Sequence, residues 1–288
     1  MPRTASSLRP DPTTRVADLE RQRPEWRPWI RLLTEVERAG SEWEGKSFLV
    51  GPDASLPDGS PGAPLLQGRT LLVDPAILRR QILRLASIAT ELEGGASLRQ
   101  YRPSSNDALR LTEAALRQDR ATIAGVATEH GLDPSALASV IHLASLPILR
   151  SSASTLQHQL PLHWPHGYCP VCAAWPLLAE RRGLDRSRRL RCGRCAGEWE
   201  VEWLTCTFCG ERDYRHLGSL VLDEGELVKV ETCASCQAYL KSLATLQMIP
   251  AFELLLRDLE TVELDLIALD RGYSRPERSG FGLEVHLK

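Results

Sequence analysis

Along the first 160 residues, apolar side chains recur at three- and four-residue spacing, the period of a helix with one buried face. The stretch VADLERQRPEWRPWIRLLTEVERAG is amphipathic and is expected to stop at Gly40. Asp74-Pro75 reads as a helix start, an N-cap acceptor followed by a proline whose missing N–H costs nothing in the first turn. Behind it Ile77, Leu78, Ile82, Leu85, Ile88, Ala89 and Leu92 keep helical spacing, and Gly94 is the expected stop. A further helix is expected over 106–129. Asp133-Pro134 repeats the start signal before SALASVIHLAS, with Pro147 expected to interrupt. Between these segments VGPDASLPDGSPGAP, at 50–64, is too rich in breakers for regular structure.

From about residue 166 the helical period fades. Short β-rich runs, EWEVEWL at 198–204 and LVKVE at 227–231, take its place. A helix is predicted again around PAFELLLRDLETVELDLIALDRGY, before a Gly/Pro-containing tail. The pattern predicts an α+β protein in three parts. These are a helical bundle over 1–165, one small metal-binding subdomain over 166–204, and a second over 205–288 that includes a C-terminal helix.

Bulk properties narrow the function classes. The 288 residues suffice for a large core, and a formal net charge of −2 does not suggest a general nucleic-acid or membrane-surface binder. No apolar run approaches the roughly 18–20 residues of a membrane span, so no membrane association is expected. The first residues lack the apolar stretch of a secretory signal and an adjacent arginine pair, so a cytoplasmic location is expected. Thiols there stay reduced or bind metal.

All eight cysteines lie between 169 and 236, as CPVC, CGRC, CTFCG and CASC. Cys169, Cys172, Cys192 and Cys195 have the spacing C-x2-C-x19-C-x2-C; Cys206, Cys209, Cys233 and Cys236 have C-x2-C-x23-C-x2-C. Two cysteines separated by two residues can present both sulfurs to one ion from a single turn, and two such turns complete a tetrahedron. So small a β-rich segment has little core, and a metal supplies much of its folding energy. Four thiolates also close the coordination shell, which favours a structural over a catalytic ion. The spacing admits sequential or interleaved pairing, and sulfur ligation suits zinc or a single iron. A thioredoxin-type redox pair or a four-iron cluster fits four repeated pairs less well.

Other features are weaker. The run RRGLDRSRRLRCGR carries Arg181, Arg182, Arg186, Arg188, Arg189, Arg191 and Arg194, read here as a solvated hairpin loop before an anion-binding patch. His163 and His166 are expected to be loop residues, not ligands. Trp164, Trp175, Trp199 and Trp203 suit packing of a thin β layer more than a partner surface. No nucleotide-binding, zinc-protease or serine-hydrolase motif is present, which argues against an enzyme.

The block YCPVC…LRCGRCAGEWEVEWLTCTFCGERDYRHLGSL…VKVETCASCQAYLKSL resembles the FdhE family, formate dehydrogenase accessory proteins. Trp199, the third pair a few residues on, and ETCASCQAYLK carry the likeness, and DLETVELDLIALDRGYSR is similar to the family's C-terminal segment. Detailed likeness covers about 165–275. Ala173 stands where the resemblance expects glycine. The resemblance implies a cytoplasmic maturation factor that binds the catalytic subunit of a respiratory formate dehydrogenase before export. It also implies two rubredoxin-like tetrathiolate sites, with iron expected and zinc an alternative, on the eight cysteines named. No catalytic residue is implied, nucleic acid is not an expected partner, and a homodimer stays open. A rubredoxin-like electron carrier, a zinc-ribbon nucleic-acid-binding protein and a zinc-stapled scaffold remain as alternatives.

Overall fold

The computed structural model describes residues 12–43, 45–46, 48–49, 62–221, 227–277 and 279–288. The breaker-rich loop predicted at 50–64 lies outside this set except for its last three residues.

The first amphipathic stretch is two helices, α1 (Pro12–Gln22) and α2 (Arg27–Trp43), joined by the 3-10 turn Pro24–Trp26. Pro24 disfavours a helical residue before it, and Arg23 is accordingly turned out at φ −133°. α2 runs through Gly40 to Trp43, because nothing there requires a left-handed residue and its buried stripe, Ile30, Leu32, Val36, Ala39 and Trp43, continues past the glycine. Strand β1 (Arg69–Leu71) leads to α3 (Pro75–Ala89). The Asp74 carboxylate accepts the Ala76 N–H at 2.8 Å, as the Asp-Pro signal predicts.

The helix expected over 106–129 is broken into α4 (Ser105–Arg117) and α5 (Arg120–Glu129). Gln118 adopts φ +60° as the C-cap of α4, and Asp119 then caps α5 by accepting from the Thr122 N–H. α6 (Pro134–Leu156) starts at the Asp133 cap and passes straight through Pro147. Proline removes one ladder bond at a cost of about 3 kcal/mol. Packing against α2, α3, α4 and α5, which buries residues 144–149 around the proline, offsets it, and the Ser145 hydroxyl takes up the His142 carbonyl one turn earlier, at 2.7 Å. α6 with its following turn, Pro134–Gln159, is long and apolar enough to cross a membrane, contrary to the sequence reading. Its apolar surface is covered by the bundle it centres, so it is accounted for as a core helix.

The cysteine region forms β2 (Leu178–Arg182), β3 (Ser187–Arg191), β4 (Glu198–Glu200), β5 (Leu217–Leu220), β6 (Val228–Cys233) and β7 (Tyr239–Thr245). The strand expected over 198–204 ends at Glu200. Two antiparallel ribbons, β2–β3–β4 and β5–β6–β7, join edge to edge through a parallel β2–β7 pairing, so one six-stranded sheet runs β4-β3-β2-β7-β6-β5. The predicted C-terminal helix divides at Thr261 into α7 (Ala251–Glu260) and α8 (Val262–Asp270). α7 packs on α2 and α8 on β6 and β7, tying bundle to sheet. The chain then returns as β8 (Val285–Leu287), parallel to β1 of the helical half, with Lys288 N–H on the Leu71 carbonyl at 3.0 Å.

Candidate metal centres

Each C-x-x-C pair builds the same turn. The N–H of its first cysteine donates to the carbonyl five residues on: Cys169 to Ala174 (2.8 Å), Cys192 to Gly197 (2.9 Å), Cys206 to Glu211 (2.8 Å) and Cys233 to Ala238 (3.0 Å). The residue after the second cysteine is left-handed in all four, Ala173 at φ +62°, Ala196 at +63°, Gly210 at +74° and Gln237 at +55°. Only one of these is glycine, so the turn geometry is retained where the glycine is not, at some backbone cost. Val171 and Cys195 N–H groups point at the Sγ atoms of Cys169 and Cys192, at 3.4 and 3.5 Å. Such donors stabilise a thiolate over a thiol.

The turns meet in sequence order. Cys169, Cys172, Cys192 and Cys195 have their sulfurs within 4.8 Å of one another, and so do Cys206, Cys209, Cys233 and Cys236. Pairing is therefore sequential; the interleaved alternative is excluded by the geometry. The closest sulfurs, Cys169–Cys195 and Cys172–Cys192, are 3.4 and 3.5 Å apart. In the second set, Cys206–Cys236 and Cys209–Cys233 are both 3.7 Å apart. A tetrahedron with metal–sulfur bonds of about 2.3 Å has edges of roughly 3.8 Å, so both sets fit one tetrahedral ion, and all these separations are too long for a disulfide.

The electrostatics point the same way. Four close sulfurs buried without a cation cannot all ionise: burial pushes the Cys169 thiol well up, while hydrogen bonds from Cys169, Cys172 and Cys195 draw Cys192 down. In the second set burial raises Cys206, and raises Cys236 to about 11. A divalent ion removes this conflict by letting every sulfur be a thiolate. Two ions can thus be held, and the donor set alone does not separate zinc from iron.

The two centres differ in setting. All four cysteines of the first are buried in the main core, packed with the helical half. In the second, Cys209 and Cys236 are exposed. Beside that exposed edge Glu211, Ser235 and His216 form a cluster, the Ser235 hydroxyl donating to Glu211 Oε2 at 2.6 Å and His216 Nδ1 lying 3.1 Å from the same oxygen. The sequence reading did not single these out; Glu211 and Ser235 were detectable only as the polar residues within or just after facing pairs.

The arginine run is not a solvated loop. Its tip, 184–186, is exposed, but Arg181, Arg188, Arg191 and Arg194 are buried. Arg191 pairs with Glu180; Arg182 bridges Glu180 (2.7 Å) and Glu198 (2.6 Å); Arg188 reaches Glu231 on β6 at 2.7 Å. Strand alternation puts Arg182 and Arg191 on one face of the sheet with Glu180 and Glu198, and Arg188 on the other with Glu231, so each of these three cations meets a carboxylate of another strand. His163 and His166 stay out of both sulfur sets, and His166 stacks on Tyr168 with ring centroids 4.9 Å apart. Trp199 is buried and Trp164 half-buried, their indole N–H groups donating to the His166 and Tyr168 carbonyls. Trp175 meets Phe208 edge-on, whereas Trp203 is 43% exposed.

A helical half joined to a sheet with two four-cysteine ribbons is an α+β architecture able to hold two metal ions, and comparison with known proteins shows what it is similar to. Residues 201–281 match the family model described as FdhE, C-terminal domain. A Protein FdhE homolog of Stutzerimonas stutzeri is 38% identical over 115 residues, 37% of this chain and 35% of that one. An Aquifex aeolicus homolog is 26% identical over 160 residues, 54% and 55% of the two chains. Protein FdhE of Escherichia coli is 34% identical over 119 residues, 40% and 37%. The chain thus matches between about a third and about half of the length of these relatives. The crystal structure of the FdhE protein from Pseudomonas aeruginosa shares the fold at a TM-score of 0.53 and 23% identity, covering 93% of each chain. The chain is thus similar to FdhE proteins, most specifically over residues 201–281, which match the C-terminal domain of that family.

Proposed function

We propose that this protein is a non-catalytic accessory factor for a formate dehydrogenase, binding its catalytic subunit in the cytoplasm and promoting maturation to active enzyme before export. The observation that carries the reading is the second four-sulfur centre, open at Cys209 and Cys236, inside the segment that matches the FdhE C-terminal domain. The ligands are Cys169, Cys172, Cys192 and Cys195 for the first ion and Cys206, Cys209, Cys233 and Cys236 for the second. Bound iron would supply a one-electron couple, whereas zinc would act only as a staple. With four sulfurs per ion no position is left for substrate, which supports a role in binding over catalysis. The division into a helical part over 1–165 and ribbons over 166–204 and 205–288 belongs to the same reading.

The test is affinity recovery from cells respiring on formate, with captured proteins identified by mass. A formate dehydrogenase catalytic subunit should be retained by the native chain and lost when Cys206 and Cys209 are both changed to serine. Failure to capture that subunit where it is expressed would overturn the reading. The exposed sulfur edge also favours a second reading, an electron carrier, for which reversible one-electron reduction of a coloured, iron-loaded protein would be the signature.

A further inference from the structure

Between the bundle, the first ribbon and the C-terminal helices lies a cleft of about 860 Å³, within the size range of small-ligand sites. Trp29, Leu33, Trp175 and Phe208 give it an apolar floor. Its polar groups are unevenly matched. At one end Asp258 and Asp265 are neutralised by Lys241, at 2.7 and 2.6 Å, and by Arg275, at 3.3 and 3.2 Å. At the other end stand Arg194, Arg120, Gln118 and His142, with no carboxylate paired to either arginine among the described residues. Glu277, exposed, also contributes to the lining.

Arg194 is the telling group. It lies between two cysteines of the first centre, is 7% exposed, and spends Nη2 on the Ala115 carbonyl in the last turn of α4. That bond docks the ribbon on the bundle but leaves Nε and Nη1 buried without a partner. Gln118 Nε2, from another element of the same cleft, is likewise buried and unpartnered. A buried donor left unmet carries its full desolvation penalty, larger still on a charged group. Arg194 and Arg120 thus bring two guanidinium groups to this end of the cleft.

We propose that the cleft binds a small organic anion, its carboxylate or phosphate taken by Arg194 and Gln118 and its apolar, ring-sized body lying on Trp29, Trp175 and Phe208. The acceptor oxygens supply what the buried donors lack, and Arg120 at the rim adds long-range attraction. The ligand is thereby read by the helical half and the first ribbon together, with Phe208 from the first turn of the second centre completing the floor.

The test is calorimetric titration of the full, metal-loaded chain with phenyl phosphate, benzoate, inorganic phosphate and the neutral benzyl alcohol. One saturable site is expected, with phenyl phosphate or benzoate at least about tenfold tighter than benzyl alcohol, and the tighter of the two identifies the anion. Inorganic phosphate should bind more weakly than phenyl phosphate, for want of the ring. Arg194→Gln should weaken the anion roughly tenfold and leave benzyl alcohol unchanged. Metal content verifies that this variant is folded; if it is not, Arg120→Gln and Gln118→Leu decide, each expected to weaken the anion alone. Absence of saturable binding up to about 10 mM, equal affinity for benzyl alcohol, or indifference to these substitutions would overturn the proposal.

Discussion

Arg191 of β3 and Glu180 of β2 are ion-paired inside the sheet, their side chains 1% and 0% exposed. Glu180 also accepts the Ile249 N–H at 3.1 Å, just ahead of α7, and takes a second guanidinium from Arg182. One carboxylate thus fastens the first ribbon to the segment leaving the second. Removing one partner of a buried pair strands the other, so Glu180→Ala should cost about 3–5 kcal/mol. Replacing both, by Glu180→Leu with Arg191→Met, should cost less than the single change. Thermal or urea unfolding of the metal-loaded proteins measures both.

The two centres should part with metal at different rates. Sulfurs at Cys209 and Cys236 can be approached by a chelator directly, whereas the first centre must be uncovered by opening the main core. In a competition followed with a metal-sensing dye, about one equivalent should leave quickly and the other only on the timescale of unfolding. Changing Cys209 and Cys236 to serine should abolish the fast phase. Release of both equivalents in a single phase would contradict the assignment.

The left-handed turn residues predict small gains. Ala173 and Gln237 have φ of +62° and +55°, a conformation that costs most L-residues roughly 1–2 kcal/mol. Each change to glycine should recover about 0.5–1 kcal/mol after the extra chain entropy of glycine is counted. The reverse change, Gly210→Ala, should lose a similar amount through backbone strain alone, since nothing stands within 4 Å of the added methyl group. Shifts in the urea midpoint test the three together.

Acid should erase one helix cap in a defined direction. The Asp119 carboxylate accepts from Thr122 Oγ1 (2.6 Å) and Thr122 N (3.0 Å), and these bonds lower its pKa below the ordinary value of 3.8. A folded pKa below the unfolded one stabilises the fold above the unfolded value, and the benefit fades as pH falls through the folded value. Asp119→Ala should therefore cost about 1 kcal/mol at pH 7, with the gap from the native chain closing below about pH 4. Acid strips metal from both proteins alike, so the difference between their unfolding curves carries the result.

What could be read from the sequence was local chemistry. The Asp-Pro helix starts and the paired thiolate turns each depend on residues within a few positions of one another, and both appear as expected. Features set by distant contacts were hidden. Gln118 breaks a helix without being glycine; Pro147 fails to break one because the bundle encloses it. The buried arginines looked solvated because Glu231, which receives Arg188, lies 43 residues away on another ribbon. Sequential pairing of the cysteines became visible only once the sheet brought the sulfurs together, and the cleft beside Arg194 draws its walls from both ends of the chain.

The parallel pairing of β2 with β7 sets an order of events at the ribosome. Leu178–Arg182 cannot gain its neighbour until Tyr239–Thr245 has been synthesised, so the first ribbon waits with an open strand edge while the second is made. All four sulfurs of the first ribbon are out before any sulfur of the second. An ion captured there early would hold β2, β3 and β4 as a template on which the later strands assemble. Strand order along the chain thus makes the first ribbon the half that can be completed before its partner exists.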